Sequence, residues 1–497
     1  MRVNRAWLGL IVLMLPNFLV AMDVTALLLA LPRLSADLGA TSVQQLWISD
    51  SYGLMVAGLV ITMGTLGDRI GRRRLLMTGG AAFGVLSVVA ALATDPLTLI
   101  IARALLGVAG ATLVPSTLAL ITHMFRDERE RGRAIAIWAT CQFTGGALGP
   151  VLAGFLLQYF WWGSVFLVAV PAMALLLLAG PVLLPEFRSD KAGRVDLASV
   201  GLSLVAVLLM VHGVKQLAVE GVTAGPAVAL VTGAGVGFLF VRRQLRLEAP
   251  LLDLRLLRNR PLTAVLVALA FAGMAMAGTG LVVTQYLQSV LGFSPVESAL
   301  LFAPMGLGVA AGTMAAPLLG RWMRTTTAIT GGLAVSALGS LLPAGVGGAH
   351  SLPLVMTGIA VLALGTGPLF ALGTGLVVGS VPPERAGSAA SMSETSNYLG
   401  GSLGLGLLGV VAAVVYRGRM DGTSDSLADA VAAGRDLPAD RGAELLHEAR
   451  EAFTASLHVT GVVSAAVFAG LAVLVLAMSP AARPAPAVQP EYEETRS

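Results

Sequence analysis

Residues 22–52 read MDVTALLLALPRLSADLGATSVQQLWISDSY. The apolar runs that enter and leave this stretch, Leu8 to Leu31 and Leu46 to Leu66, are each long enough to cross a bilayer as a helix. Asp23 and Asp50 lie inside those runs. A carboxylate in hydrocarbon costs about 2.5–3.5 kcal/mol on insertion scales. It persists there if it reaches headgroups from a helix end, or if it handles protons, cations or both.

The same pattern continues to the end of the chain. Hydrophobic residues make up 56% of the 497, charged residues 12%, and the mean hydropathy is +0.83. Soluble domains carry about twice that share of charge, so the chain is an all-α polytopic membrane protein. A membrane barrel would show short alternating strands instead. Hydropathy places fourteen spans, at 8–31, 46–66, 75–93, 97–122, 133–157, 163–184, 195–217, 225–241, 261–290, 296–319, 328–346, 352–379, 388–416 and 456–479. Arg2 and Arg5 precede the first run as in a signal peptide, but the run is too long for one and is read as a span.

An even number of spans puts both termini on one face. That face receives 24 of the 32 Lys and Arg residues, the other face 7, and Arg103 stays inside a span. Both termini are therefore expected in the cytoplasm, with the spans in a bacterial cytoplasmic membrane. The sequence pI near 9.6 has this topological source, and no nucleic-acid partner is expected. Cys141 is alone and the five histidines lack ligand spacing, so no metal site is expected. No nucleophile–base pair or phosphate loop is visible, and the chain is not expected to be an enzyme.

One repeat stands out. Gly145 to Gly154 (GGALGPVLAG) aligns with Gly400 to Gly409 (GSLGLGLLG following Gly400) at a shift of 255, which also carries Gly132 and Ala134 onto Gly387 and Ala389. A parallel repeat of six spans is the plan of a secondary transporter. The expected division is a six-helix bundle over 1–194, two inserted spans with an interfacial linker over 195–260, and a second six-helix bundle over 261–479. A long outer loop, 417–455, lies within the last bundle, with short helices expected at 424–434 and 440–458. A cytoplasmic tail follows at 480–497.

Gly64 to Leu76 reads GTLGDRIGRRRLL after the second span. It resembles the signature loop of the major facilitator superfamily, G-x-L-x-D-R-x-G-R-R. Arg103 with Gly107 resembles that family's second motif. Gly145, Gly149, Pro150 and Gly154 resemble its antiporter signature. Trp47, Tyr52, Trp161, Trp162, Phe166 and Pro171 are similar to residues of the fourteen-span drug/proton antiporters, in particular the quaternary-ammonium efflux pumps. The resemblance implies a major facilitator fold and an inner-gate latch made by Gly64, Asp68, Arg69, Gly71 and Arg72. In such a latch Asp68 meets a helix N-terminus in the second half, and Asp127 is a candidate partner for Arg72.

Depth along the helices sorts the remaining charges. At 1.5 Å per residue, Arg103 lies about 9 Å and Asp23 about 12 Å from the outer face, so a salt bridge between spans 1 and 4 is feasible. Such a pair is suited to proton coupling, because a change in pairing moves a carboxylate's affinity for a proton. Asp50 lies about 6 Å below the outer face and Glu394 about 9 Å from the inner one. Both are candidates for cation contact or a second proton. Tyr52, Trp138, Phe143, Tyr286, Phe302 and Tyr398 are candidate faces for a lipophilic cation, or plain packing. Met274, Met276 and Met305 offer an adaptable wall. The efflux pumps often carry a second acid after the residue matching Tyr398, whereas Leu399 stands here.

These readings combine into an expectation. The chain is a monomeric, proton-coupled exporter of small lipophilic cations, using the proton gradient and no cofactor. The alternatives are a dedicated exporter of one endogenous metabolite or antibiotic, and a receptor or regulator built on a transporter scaffold.

Overall fold

Hydrocarbon offers no partner to a backbone amide, so each span satisfies its own amides as a helix. In the computed structural model, residues 2–188, 196–220, 223–247, 250–252, 254–347, 351–381, 386–420, 424 and 427–478 are described. The helices are α1 (Arg2–Leu38), α2 (Ser42–Ile70), α3 (Arg72–Ala91), α4 (Pro96–Met124), α5 (Glu128–Tyr159), α6 (Ser164–Leu167), α7 (Ala169–Leu183), α8 (Leu197–Glu220) and α9 (Ala224–Arg246). They continue with α10 (Arg260–Gln285), α11 (Pro295–Leu301), α12 (Ala303–Trp322), α13 (Thr325–Leu341), α14 (Ser351–Pro368), α15 (Thr374–Gly379), α16 (Ala386–Arg419), α17 (Leu427–Asp436) and α18 (Ala439–Met478). Among the described residues, fourteen helical segments are long and apolar enough to cross a membrane.

Polar caps set where several spans begin. Thr41 and Gln44 form a capping box at α2, and Ser294 and Glu297 form another at α11. Asp95 accepts the amide of Thr98 ahead of Pro96, and the Thr98 hydroxyl and amide hold its carboxyl below the usual carboxylate range. The sixth span is in two pieces, α6 and α7. The twelfth leaves the α-helical ladder after Pro368 through a wide turn over Leu369–Gly373, and the ninth ends in a similar turn at Tyr286–Val290. In the outer loop the expected 440–458 helix is continuous with the last span as α18. The tail at 480–497 lies outside the described residues, as do 189–195 and 421–423.

The repeat has a physical purpose. α5 lies along α1, and α16 lies along α10. A side chain at Gly145 would strike the Phe18 backbone, and one at Gly149 the Met22 backbone. At the shift of 255, Gly400 and Gly404 face the backbones of Ala270 and Met274 in the same manner. Small residues here let two helix axes approach closely. α8 and α9 pair with each other, and α8 packs against both α2 and α16. Asp196 and Arg243 clasp the ends of that pair at 2.7 Å, and Gln244 ties Ser199 to the amides of Leu251 and Leu252.

Two hydrophobic cores result, one built on α1–α7 with Val378 of α15 and Ala390 of α16 joining it, and one in α10–α18. Each receives a ring from the other half. Tyr398 of α16 packs against the first core, and Phe143 of α5 packs against the second, with its ring 4.7 Å from that of Phe370.

Candidate transport pathway

α4 carries Arg103 into the interior of the first half, where the residue is 1% exposed. Its guanidinium donates to Asp23 Oδ2 on α1 and, through Nε, to the Ile48 carbonyl on α2 at 3.3 Å. It also lies 4.7 Å from the Tyr52 ring centroid and 5.9 Å from that of Phe166. The arginine therefore does not snorkel to an interface. Gly107, one turn on, makes room for α2: an added Cβ would stand 2.5 Å from the Tyr52 carbonyl oxygen. Paired buried charges of this kind hold only with good geometry and further hydrogen bonds, and both are present.

Between the halves lies a cavity of about 480 Å³. Its walls come from α1, α5, α10, α11, α12 and α16, with Phe143, Phe302, Tyr398, Met276 and Met305 supplying aromatic and thioether surface. No Asp, Glu, Lys or Arg is among the lining residues. Pro150 of the antiporter motif and its neighbour Gly146 face this space, while Gly145 and Gly149 face α1 and Gly154 stands beside Leu29. Glu394 is 3% exposed, one turn before Tyr398. It shares a hydrogen bond with Gln142, which does line the cavity, and its Oε2 has no hydrogen-bond partner among the described residues.

Several expected cargo contacts lie elsewhere. Trp138 is 2% exposed in the first core, where its indole N–H donates to Thr117 Oγ1 at 3.0 Å and its carbonyl accepts from Asn17. Tyr286 is buried in the second core. Tyr52 sits beneath Arg103 instead of facing the cavity, and its buried hydroxyl has no partner among the described residues. Asp50 is half-buried on α2 and is not a lining residue. In the other direction, Gln142 and Asn397 are wall residues that sequence reading did not single out. The four-residue spacing of Gln142, Gly146 and Pro150, one face of a helix, was the available signal.

The loop after α2 folds back on itself. Arg72, 1% exposed, donates to Asp68 Oδ1 through Nε at 2.9 Å and Nη2 at 2.5 Å, and to the Gly64 carbonyl. Gly71 adopts φ +110°, where a side chain is strained, and Glu186 Oε1 occupies the place a Cβ would take. Glu186 accepts the Arg73 amide at 3.2 Å and lies 3.5 and 3.7 Å from the Nε atoms of Arg73 and Arg74. Arg69 is half-buried, with its Nε and Nη1 lacking hydrogen-bond partners among the described residues. The pairing of Asp127 with Arg72 is not made. Asp127 caps α5 by accepting the amides of Arg129 and Glu130, and Arg72 is engaged through Nε and Nη2 by groups four and eight residues before it, while its buried Nη1 has no hydrogen-bond partner among the described residues. Residues 382–385, ahead of α16, are outside the described residues, and with them the expected docking of Asp68 on a second-half helix N-terminus.

A second cavity, about 950 Å³, lies where α5 begins and α12 ends, with Arg129, Arg131, Arg133 and Arg321 in its wall. α5 lines it at 128–135 and the central cavity at 142–150; α12 lines the central cavity at 305–309 and this vestibule at 317–322. The segments between them make a septum. In it Thr140 and Thr313 share a hydrogen bond of 2.5 Å across the halves, and Ala136, Ala316 and Ala371 pack together.

Comparison with known proteins bears on this arrangement. The profile of the Major Facilitator Superfamily matches residues 13–405. The chain is 40% identical over 484 residues to the multidrug efflux pump LfrA of Mycolicibacterium smegmatis, covering 95% of this chain and 96% of LfrA. It is 33% identical over 463 residues to the methyl viologen resistance protein SmvA of Salmonella typhimurium, covering 90% of this chain and 93% of SmvA. The crystal structure of the human organic anion transporter MFSD10 superposes with a TM-score of 0.62 at 16% identity, over 94% of this chain and 98% of that one, a likeness of fold alone.

Proposed function

The chain belongs to the Major Facilitator Superfamily, and from that premise we propose that it is a proton-driven exporter of lipophilic, cationic compounds. The observation that carries the reading is the central cavity. It is an uncharged aromatic and methionine chamber between the halves, with the Glu394 carboxylate one hydrogen bond behind its wall. Rings and thioethers suit cargo of varied shape, and a recessed acid suits positive charge. The names of LfrA, a multidrug efflux pump, and SmvA, a methyl viologen resistance protein, agree with it.

In this reading Asp23 takes a proton from the outer side and gives up its bond to Arg103. The loss of that bond loosens α1 from α4 and shifts the balance between the two rocking states. Release of the proton to the cytoplasm restores the pair, so that proton entry drives cargo exit. Both termini face the cytoplasm, one chain suffices, and the proton gradient is the only energy source.

Everted membrane vesicles with an imposed pH gradient test this. Ethidium is expected to accumulate and to leave when the gradient is collapsed, and indifference to the gradient would sink proton coupling. Asp23→Asn is expected to abolish uptake at wild-type protein levels. Glu394→Gln is expected to impair cationic cargo more than neutral cargo of similar size; equal impairment removes its assignment as a charge contact.

A further inference from the structure

The function proposed above makes no use of the arginines gathered in the vestibule beyond the septum. Arg129, Arg131 and Arg133 come from the first two turns of α5 and Arg321 from the last turn of α12, with Glu128 the one carboxylate among the described residues of the same wall. Among the described residues none of these four guanidiniums makes an ion pair. Arginines scattered over loops satisfy the positive-inside rule with no ligand at all. Four cations sharing one concavity against one anion are a different arrangement, because each raises the electrostatic cost of the others and together they focus a field that draws an anion. The planar fork of arginine matches the oxygens of a phosphate.

The rest of the wall indicates which phosphate. Pro317, Leu372 and Leu376 are apolar, and Trp322, at the end of α12, is 78% exposed. Indole rings settle at the headgroup level of a bilayer, and basic pockets between spans hold anionic headgroups. A free anion has no use for such a rim, whereas acyl chains do. We infer that this vestibule binds the phosphodiester headgroup of an anionic phospholipid, with its acyl chains passing over Trp322. A bound headgroup neutralises a mouth that would otherwise repel cations. The site stands whichever compound is carried.

Native mass spectrometry of the purified full-length protein tests this, with phosphatidylglycerol and phosphatidylcholine added in turn. Wild-type protein is expected to retain phosphatidylglycerol preferentially. Arg131→Gln/Arg321→Gln is expected to lose that retention about tenfold, on the scale of a charge-assisted hydrogen bond or two. Arg131→Lys/Arg321→Lys, which keeps the charge and loses the fork, is expected to fall between them. Arg242→Gln/Arg246→Gln removes two exposed arginines of α9 outside the vestibule and is expected to retain the lipid. The inference is overturned if wild type shows no preference, or if the α9 variant loses as much as the vestibule variant. It is likewise overturned if inorganic phosphate displaces the lipid at equal concentration, which would make this a free-anion site.

Discussion

Arg103 is held by an anion, a carbonyl and two rings, contributed by α1, α2 and α6. Removing either member of a buried pair strands the other, so Arg103→Gln and Asp23→Asn are each expected to lower thermal stability. The double variant is expected to recover part of the loss, with a coupling on the order of 1 kcal/mol or more. A thermal-shift series on the four proteins measures it, and simple additivity would contradict the pairing. Neighbouring glycines divide in the same way. Gly107→Val drives a side chain into the Tyr52 backbone and is expected to abolish folded protein, whereas Gly53→Ala meets nothing within 4 Å and is expected to be neutral. Asp23 and Arg103 were legible as partners because the rise of a helix fixes depth. For Trp138 and Tyr286 the sequence left cavity wall and plain packing both open, because in a membrane the lipid-facing, core-facing and cavity-facing sides of a helix are all apolar. Hydropathy finds the span and leaves its rotation open.

At the level of elements, the septum between α5 and α12 joins the halves through the Thr140–Thr313 hydroxyl pair and the packing of Ala136 on Ala316 and Ala371. Thr140→Val removes a bond worth about 0.5–1.5 kcal/mol net and is expected to raise opening between vestibule and cavity by roughly two- to tenfold. With Cys141 replaced by alanine, the reaction rate of Gln142→Cys with a membrane-impermeant thiol reagent reports it, and an unchanged rate would remove the septum from the path. The α8–α9 clasp responds to pH in a defined direction. Hydrogen bonds from Arg243 and Ser199 hold the Asp196 carboxyl well below the usual carboxylate range. A lowered value means the pairing stabilises the fold above the unfolded value, about 3.9, and is lost only as pH falls through the folded one. Hydrogen exchange at the start of α8, corrected for intrinsic rates, is thus expected to be the same at pH 7 and at about pH 5. Asp196→Asn is expected to raise it at pH 7. The span count, the closely packed glycines and the loop motif could all be read from residue spacing. Glu186 could not: it lies more than a hundred residues from Arg73, and no local pattern links them.

Over the whole molecule, the two halves exchange rings, Tyr398 entering one core and Phe143 the other. Truncating a half-buried aromatic costs less than the few kcal/mol of a fully buried one, yet Phe143→Ala and Tyr398→Ala are each expected to weaken the seam between halves as well as the chamber wall. A drop in melting temperature together with loss of ethidium transport would register both effects. The neutrality of the chamber wall also has an electrical meaning. On the proposed function, a lining without fixed charge adds no gating current of its own when it changes access, and a cationic passenger adds its own charge to whatever Glu394 behind the wall contributes. Each elementary charge crossing 100 mV represents about 2.3 kcal/mol. Two passengers of equal size, one cationic and one neutral, therefore differ by one charge in their response to an imposed potential at fixed pH gradient, and the polarity of the cell's own voltage becomes a selectivity filter for which drugs leave cheaply.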